Sequence, residues 1–306
     1  MNTIEYIFSI SSLIIGGFTF LLAVIFLLIC LYLAYKKHFD LFTILSCNTC
    51  IGTLIFVVNT LAIISYMIRW NEDEIQFQTD LFCTIRAYIN YISFCLIYYS
   101  YVLQALYRYW RVKRIIKYNS ILFRIIFLVI HWILSSLVPI PILLYGDLTQ
   151  ISYYVCYLSF SNIKMIFYGA LTIYISSLSI ILYLYYKVIQ HVQTTTVVFI
   201  NQRLTTNRDI IIFRRIIQII LSLIICGAPY LFLFLFLISL FKSSLIPNWY
   251  LYFVFFTVLT SILIQMILLM IYTRTIMKYL LEMKEQIFGI NDRNRIQPIR
   301  NQTTTI

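Results

Sequence analysis

Seven long stretches of this chain contain no aspartate, glutamate, lysine or arginine, and the shortest is 21 residues long. A helix needs about 20 apolar residues to cross a bilayer, and only helices and closed barrels satisfy their backbone groups there. The alternating segments of a β-barrel do not occur. The sequence therefore predicts an all-α membrane protein, a seven-transmembrane helix bundle. Its predicted spans are Tyr6–Tyr35, Leu41–Ile68, Ala87–Tyr107, Ile125–Gly146, Met165–Tyr186, Ile216–Phe241 and Ser243–Thr273.

Composition excludes a soluble protein. Apolar residues make up 62% of the chain, charged residues only 11%, and the mean hydropathy is +0.90, whereas soluble domains carry about a quarter charged residues. Seven cysteines in 306 residues are too few for a disulfide scaffold. Glu5 and no basic residue precede the first run, so we expect a retained helix rather than a cleaved signal peptide.

The basic residues predict the orientation of the bundle. With the N-terminus outside, the exterior segments hold only four of the 23 lysines and arginines, and the other 19 lie on the cytoplasmic side. Cytoplasmic loops are the ones enriched in these residues, so the N-terminus is predicted to be extracellular and the C-terminus cytoplasmic. Because the basic residues stand beside helix ends, anionic lipids explain the net charge of +12, and nucleic-acid binding is excluded.

Short motifs occur in order along the predicted spans. Arg108, flanked by two tyrosines, lies 25 residues after Cys83, which stands at the outer start of the third span. Trp132 lies in the fourth span, and the sixth contains the sequence CGAPY at residues 226–230. These features resemble the Asp-Arg-Tyr motif, the fourth-helix tryptophan and the Cys-Trp-x-Pro-Tyr motif of rhodopsin-like (class A) G-protein-coupled receptors. The resemblance runs from the first span to Tyr272, which resembles the tyrosine that ends the family's seventh helix.

The resemblance implies roles for individual residues. Arg108 would receive a G protein when the sixth helix moves outward, with Pro229 as the kink in that helix. Asp209 would pair either with neighbouring arginines or across to Arg108, as a latch of the closed state. A disulfide between Cys83 and Cys156 is also implied, on the oxidising exterior. The implied residues of G-protein coupling and activation are Arg108, Tyr109, Asp209, Pro229 and Tyr272.

The chain departs from the family pattern at several positions. Tyr107 stands in place of the acid that usually precedes the motif arginine, which predicts a looser inactive state and basal signalling. Thr53 replaces the aspartate of the family's sodium site, so sodium allostery is not expected. Gly227 replaces the toggle tryptophan of the sixth helix, and Leu268-Leu269 replace the Asn-Pro of the seventh. The chain thus resembles a divergent orphan member.

The ligand site is predicted from one face of the third span and from the sixth. Arg86, Asn90 and Phe94 recur at intervals of four, and Tyr230 completes the candidate ligand-binding set. Two alternatives stay open: Arg86 snorkels to outer headgroups, and Asn90 makes a hydrogen bond between helices. The resemblance argues against an amine, since amine receptors carry aspartate at the place of Asn90. It also excludes retinal, since opsins need a lysine at the place of Ile262.

The C-terminal region divides at residue 288. Ile276, Leu280, Met283 and Ile287 recur at helical spacing and predict an amphipathic helix on the inner membrane surface. Residues 1–288 are therefore expected to form the receptor domain, and residues 289–306 a disordered cytoplasmic tail. The tail ends in Thr304–Ile306, which resembles a PDZ-binding terminus.

Two classes of function remain after these arguments. The first is a plasma-membrane G-protein-coupled receptor, with an unknown extracellular ligand, a heterotrimeric G protein and the lipid bilayer as partners. The alternative is a membrane transporter or channel with seven spans, although broken helices and charged residues inside the spans, which mark transport paths, are not evident. No enzyme activity, cofactor or metal site is expected, and the closely spaced Cys47 and Cys50 are interpreted as small packing residues.

Overall fold

A computed structural model describes most of the predicted spans. The described residues are 3–35, 41–73, 81–113, 121–146, 148–151, 155–158, 162–198, 221, 224–225, 227–228 and 249–273. Among the predicted site residues, Asp209, Pro229 and Tyr230 lie outside them, as do the amphipathic helix and the tail with Thr304–Ile306.

The described residues are almost entirely helical. Six helical regions are long and apolar enough to cross a membrane, and they match six of the seven predicted spans. Two of these regions consist of consecutive shorter helices. The remaining run, Ile216–Phe241, is described only at Leu221, Ile224, Ile225, Gly227 and Ala228, all of which are helical. The helices are α1 (Thr3–Tyr35), α2 (Leu41–Asp73), α3 (Leu81–Lys113), α4 (Ile121–Leu137), α5 (Ile140–Tyr145), α6 (Ile163–Gly169), α7 (Ser176–Val198) and α8 (Trp249–Tyr272).

Two predicted spans are interrupted in the structure, which corrects the expectation that the spans contain no broken helix. The fourth consists of α4 and α5, and the break falls at Pro139, the N-cap of α5. Proline has no N–H to donate and its ring clashes with the preceding turn, so Pro139 and Pro141 together explain the break. The fifth consists of α6, a π-helical turn at Ala170–Ile175, and α7. Asn162 starts it, because its Oδ1 accepts a bond from the Met165 N–H (3.3 Å).

A short β-hairpin joins the fourth and fifth spans and was not predicted. Strand β1 (Leu148–Ile151) pairs antiparallel with β2 (Val155–Leu158), and Gln150 lies opposite Cys156. The ladder gives the backbone groups of this segment hydrogen-bond partners outside a helix. Both strands pack against α3, where Cys83 lies in the first turn. The Cys83–Cys156 disulfide stays a prediction.

Helix α3 lies at the centre of the bundle. It packs against α2, α4 and α7, whereas α1 packs between α2 and α8. Gly52 allows α2 to approach α3 closely, since a Cβ there would lie 3.1 Å from the Cβ of Leu96. By contrast, much of α4 presents large apolar side chains outward, as expected of a helix solvated by lipid. These exposed side chains are Ile125, Ile126, Val129, Ile130, Ile133, Leu134 and Leu137.

Candidate functional site

A cavity lies between α2, α3, the fifth span, α8 and the helical residue Gly227. Its volume is about 70 Å³, counted as space open to the centre of a water molecule. The cavity lies on the same side of the bundle as the β-hairpin, because its α3, fifth-span and α8 residues come from the first half of each span. It is lined by Phe56, Asn90, Tyr91, Phe94, Tyr98, Gly169, Ala170, Ile173, Tyr174, Gly227, Val254, Phe255 and Val258.

Asn90 is the carboxamide in this lining. Its side chain is only 1% exposed, and its Oδ1 has no hydrogen-bond partner among the described residues. The interhelical bond that was considered for Asn90 is therefore not made by this oxygen. Buried polar atoms in proteins normally have a partner, so an open acceptor facing a cavity is a feature that a ligand or water would satisfy.

Aromatic rings form much of the cavity wall. Phe94 and Phe56 lie with ring centroids 4.7 Å apart, so α3 and α2 share one aromatic surface. Tyr98 meets Tyr174 of the fifth span edge to face, at 5.7 Å. Such pairs stabilise a wall beyond the effect of burial alone, and the structure brings the predicted pair Asn90 and Phe94 together on it.

Arg86 does not line the cavity. Its guanidinium carbon lies 4.3 Å from the ring centroid of Tyr66, and its carbonyl oxygen accepts a hydrogen bond of 2.9 Å from Asn59 Nδ2. A cation over a tyrosine face is attracted by the ring quadrupole. Arg86 therefore joins α3 to α2 near the hairpin side of the bundle, a contact that neither of its predicted roles included.

Gly227 and Tyr174 fill one space between the fifth and sixth spans. A Cβ on Gly227 would overlap the ring of Tyr174, so the ring occupies the volume that a side chain at position 227 needs. The Tyr174 hydroxyl donates a 3.1 Å hydrogen bond to the carbonyl oxygen of Ile224, which ties the ring to the same helical segment. An aromatic ring from the fifth span thus lies beside the glycine that replaces the family's sixth-helix tryptophan.

Arg108 lies near the other end of α3. By the helical rise it is about 27 Å from Asn90. Its Nη1 donates a 3.0 Å hydrogen bond to the hydroxyl of Tyr185 on α7, and its guanidinium carbon lies 5.1 Å from the ring centroid of Phe42 on α2. One side chain of α3 therefore contacts two neighbouring helices.

The other predicted coupling residues are described less fully. The ring of Tyr109 packs against the hydrophobic core and lies 4.9 Å from Lys113 Nζ. Tyr272 is the last residue of α8, as predicted for a tyrosine that ends the seventh span. Tyr185 and Phe42 were missed. A signal for Tyr185 exists, because it lies between Ile181 and Val188 on a buried stripe of α7.

A buried polar network joins α2, α3 and α4 between these two regions. Asn48 accepts a 2.8 Å bond from Trp132 Nε1 through Oδ1, and its Nδ2 lies 3.3 Å from His131 Nδ1. At the next residue, Thr49 bonds Ser100 of α3 at 2.7 Å. Thr53, at the place of the family's sodium-site aspartate, donates to the Thr49 carbonyl (3.0 Å) within its own helix. The network thus fixes the positions of three helices around α3.

We expect Asn48→Leu to lower the thermal unfolding midpoint of the purified protein by several degrees. The change leaves Trp132 Nε1 and His131 Nδ1 without their partner, and hydrogen bonds between membrane helices contribute about 0.6–2 kcal/mol each. Ile51→Val, at a more exposed position of α2, is the control. Equal midpoints for the two variants would show that the network does not stabilise the bundle.

One protein-family model matches most of the chain. The family model described as "7 transmembrane receptor (rhodopsin family)" matches residues 23–266, well over half of the chain. No curated protein matches the chain. The match agrees with the six described membrane-crossing helices and with the helical residues of the sixth span, and it does not favour a transporter or channel. The chain therefore belongs to the rhodopsin family of seven-transmembrane receptors.

Proposed function

We propose that this receptor binds an extracellular ligand in the cavity beside Asn90 and activates a heterotrimeric G protein at the end of α3 that carries Arg108. In this proposal the N-terminus is extracellular, the C-terminus is cytoplasmic, and the receptor acts in the plasma membrane without covalent chemistry. The observation that carries the proposal is that α3 lines the cavity with Asn90 and Phe94 and presents Arg108 about 27 Å away.

Three further features support this assignment. The positive-inside distribution of basic residues predicts that Arg108 and the loop that follows it lie on the cytoplasmic side. Arg108 contacts α2 and α7, so its position depends on how these helices pack. Tyr107 leaves Arg108 without an acidic neighbour in the chain, so the inactive state is expected to be less stable. A receptor with two states of similar energy populates both without ligand, and basal signalling is the expected result.

The remaining coupling residues enter the proposal by position. Pro229 would kink the sixth helix, and Asp209 would latch Arg108 in the closed state. The receptor domain would end at residue 288 with the amphipathic helix, and Thr304–Ile306 would offer a terminus to a PDZ protein.

We expect cells that express the receptor to show basal activation of at least one Gα subunit, and Arg108→Ala to lower that signal about tenfold or more. Arg108 contacts two helices at the proposed G-protein surface. The expected size follows from the loss of one hydrogen bond to a charged group, which contributes about 1.5–3 kcal/mol. The measurement is nucleotide exchange or subunit dissociation across a panel of Gα subunits, at matched surface expression.

The control is Arg111→Ala, which removes an exposed positive charge one turn along the same helix. It should retain most of the signal if Arg108 acts through its position rather than its charge. Equal basal signals from the receptor and Arg108→Ala would remove Arg108 from the proposed role.

A further inference from the structure

The described lining of the cavity carries no formal charge. None of the lining residues is an acid, a lysine, an arginine or a histidine within the part of the chain that the structure describes. A charged ligand would leave water for a site without a counter-charge, and burying an unpaired ion is strongly unfavourable. The described lining therefore favours molecules without a formal charge.

Aromatic and aliphatic side chains make up most of the remaining wall. Phe56, Phe94, Tyr98 and Tyr174 form two ring pairs, and Val254 and Val258 face them from α8. Apolar walls of this kind contribute affinity by removing apolar ligand surface from water. The cavity volume of about 70 Å³ limits the ligand to a small molecule.

Asn90 adds a single directional contact. Its Oδ1 is buried and has no described partner, and the residue is 1% exposed. The backbone oxygen of Asn90 is already used, since it accepts a 2.7 Å bond from the Ser93 hydroxyl. The side-chain amide of Asn90 is therefore available to a ligand, and it can present its oxygen or, after rotation, its NH₂.

We propose that the cavity binds a small, neutral, mostly apolar molecule that makes one hydrogen bond to the Asn90 amide. This inference rests on the proposed function, because it describes the ligand of the same receptor. It goes further by naming the chemical class: a hydroxyl, carbonyl or amide group on a small hydrocarbon. Charged amines, carboxylates and peptides do not fit this class.

Three probes of nearly equal shape test the chemistry: benzyl alcohol, ethylbenzene and benzylammonium. Each is added to the purified full-length receptor in lipid nanodiscs, and the shift of the thermal unfolding midpoint gives an apparent affinity. We expect the alcohol to bind about 3–10-fold more tightly than the hydrocarbon, which is the worth of one neutral hydrogen bond. We expect the ammonium ion to give no shift above that of ammonium chloride.

Two asparagine variants separate the cavity from the lipid. Asn90→Leu should lose the preference for the alcohol while still binding ethylbenzene. Asn59→Leu, which removes an amide bonded to the Arg86 carbonyl outside the cavity lining, should keep the preference. Because the hydrocarbon and the alcohol partition into the same nanodiscs in all three proteins, a lipid effect would appear equally in each.

Several results would overturn the inference. They are a shift with benzylammonium as large as with the alcohol, an alcohol preference that survives in Asn90→Leu, and no shift with any probe. Equal binding of alcohol and hydrocarbon to the unmodified receptor would mean that Asn90 is satisfied by retained water. The readout needs no G protein, so failure of the Arg108 experiment and failure of this one are distinguishable.

Discussion

Gly227→Trp is expected to remove most of the receptor from the cell surface, although it restores the residue type that the family carries there. A Cβ at position 227 would overlap the ring of Tyr174. That ring is 7% exposed, contacts Tyr98 edge to face and donates to the Ile224 carbonyl. It has no free direction in which to move without losing one of these contacts, and overpacking of a filled interior is destabilising.

A second change at Tyr174 is expected to recover part of the loss. Tyr174→Ala alone removes a buried ring, and such truncations cost about 3–5 kcal/mol in protein interiors. In the double variant Tyr174→Ala/Gly227→Trp, the indole can enter the volume that the phenol leaves. The effects of residues in contact are not additive, so the double variant should reach the surface better than Gly227→Trp does.

The measurement is flow cytometry of an N-terminal epitope on intact and on permeabilised cells, which separates surface from total protein. Gly17→Trp is the matched control, because a Cβ at Gly17 meets nothing within 4 Å. Normal surface expression of Gly227→Trp would mean that Tyr174 yields easily, and a double variant no better than Gly227→Trp would mean that the two residues do not share one space.

The membrane-crossing architecture could be predicted from the sequence because the bilayer imposes a simple rule on each segment. Six predicted spans correspond to described helices, and Pro139 and Pro141 stand where the fourth is broken. The ends were harder to predict. Helix α3 extends beyond Ala87–Tyr107 in both directions, because charged residues at interfacial ends of a helix do not terminate it. The hairpin was missed, since its strands are four residues each and carry no turn signature.

The candidate site could be predicted only where its residues lie on one helix. Asn90 and Phe94 were found because a spacing of four places them on one face of α3. Tyr174 and Tyr185 were missed because their significance comes from partners on other helices, Ile224 and Arg108. A single sequence contains no information about which helices are neighbours, so a glycine at position 227 signalled a missing tryptophan but not the ring beside it.

Tyr185→Phe is expected to lower basal G-protein activation, and Asp209→Asn is expected to raise it. In the structure the Tyr185 hydroxyl holds Arg108 through a 3.0 Å hydrogen bond. The proposed latch requires the same guanidinium to face Asp209. The two partners therefore compete for Arg108, and removing one shifts the equilibrium toward the state that the other stabilises.

The expected size follows from the bond that is lost. A hydrogen bond to a charged group contributes about 1.5–3 kcal/mol, and 1.4 kcal/mol is a factor of ten in an equilibrium constant, so basal signalling should change severalfold to tenfold or more. In the Asp209→Asn background the equilibrium already lies far toward the active state, so the signal is close to its maximum. Tyr185→Phe should therefore have a much smaller effect there than in the unmodified receptor.

Tyr186→Phe is the matched control for this competition, because it removes the hydroxyl of the adjacent tyrosine, which is 61% exposed on the outer face of α7. All variants are compared at equal surface expression on the Gα subunit that shows the highest basal signal. If Tyr185→Phe lowers the signal equally with and without Asp209, the tyrosine acts independently of the acid. The Arg108–Tyr185 bond would then support the proposed G-protein surface directly, and Asp209 would pair with the arginines beside it in the chain.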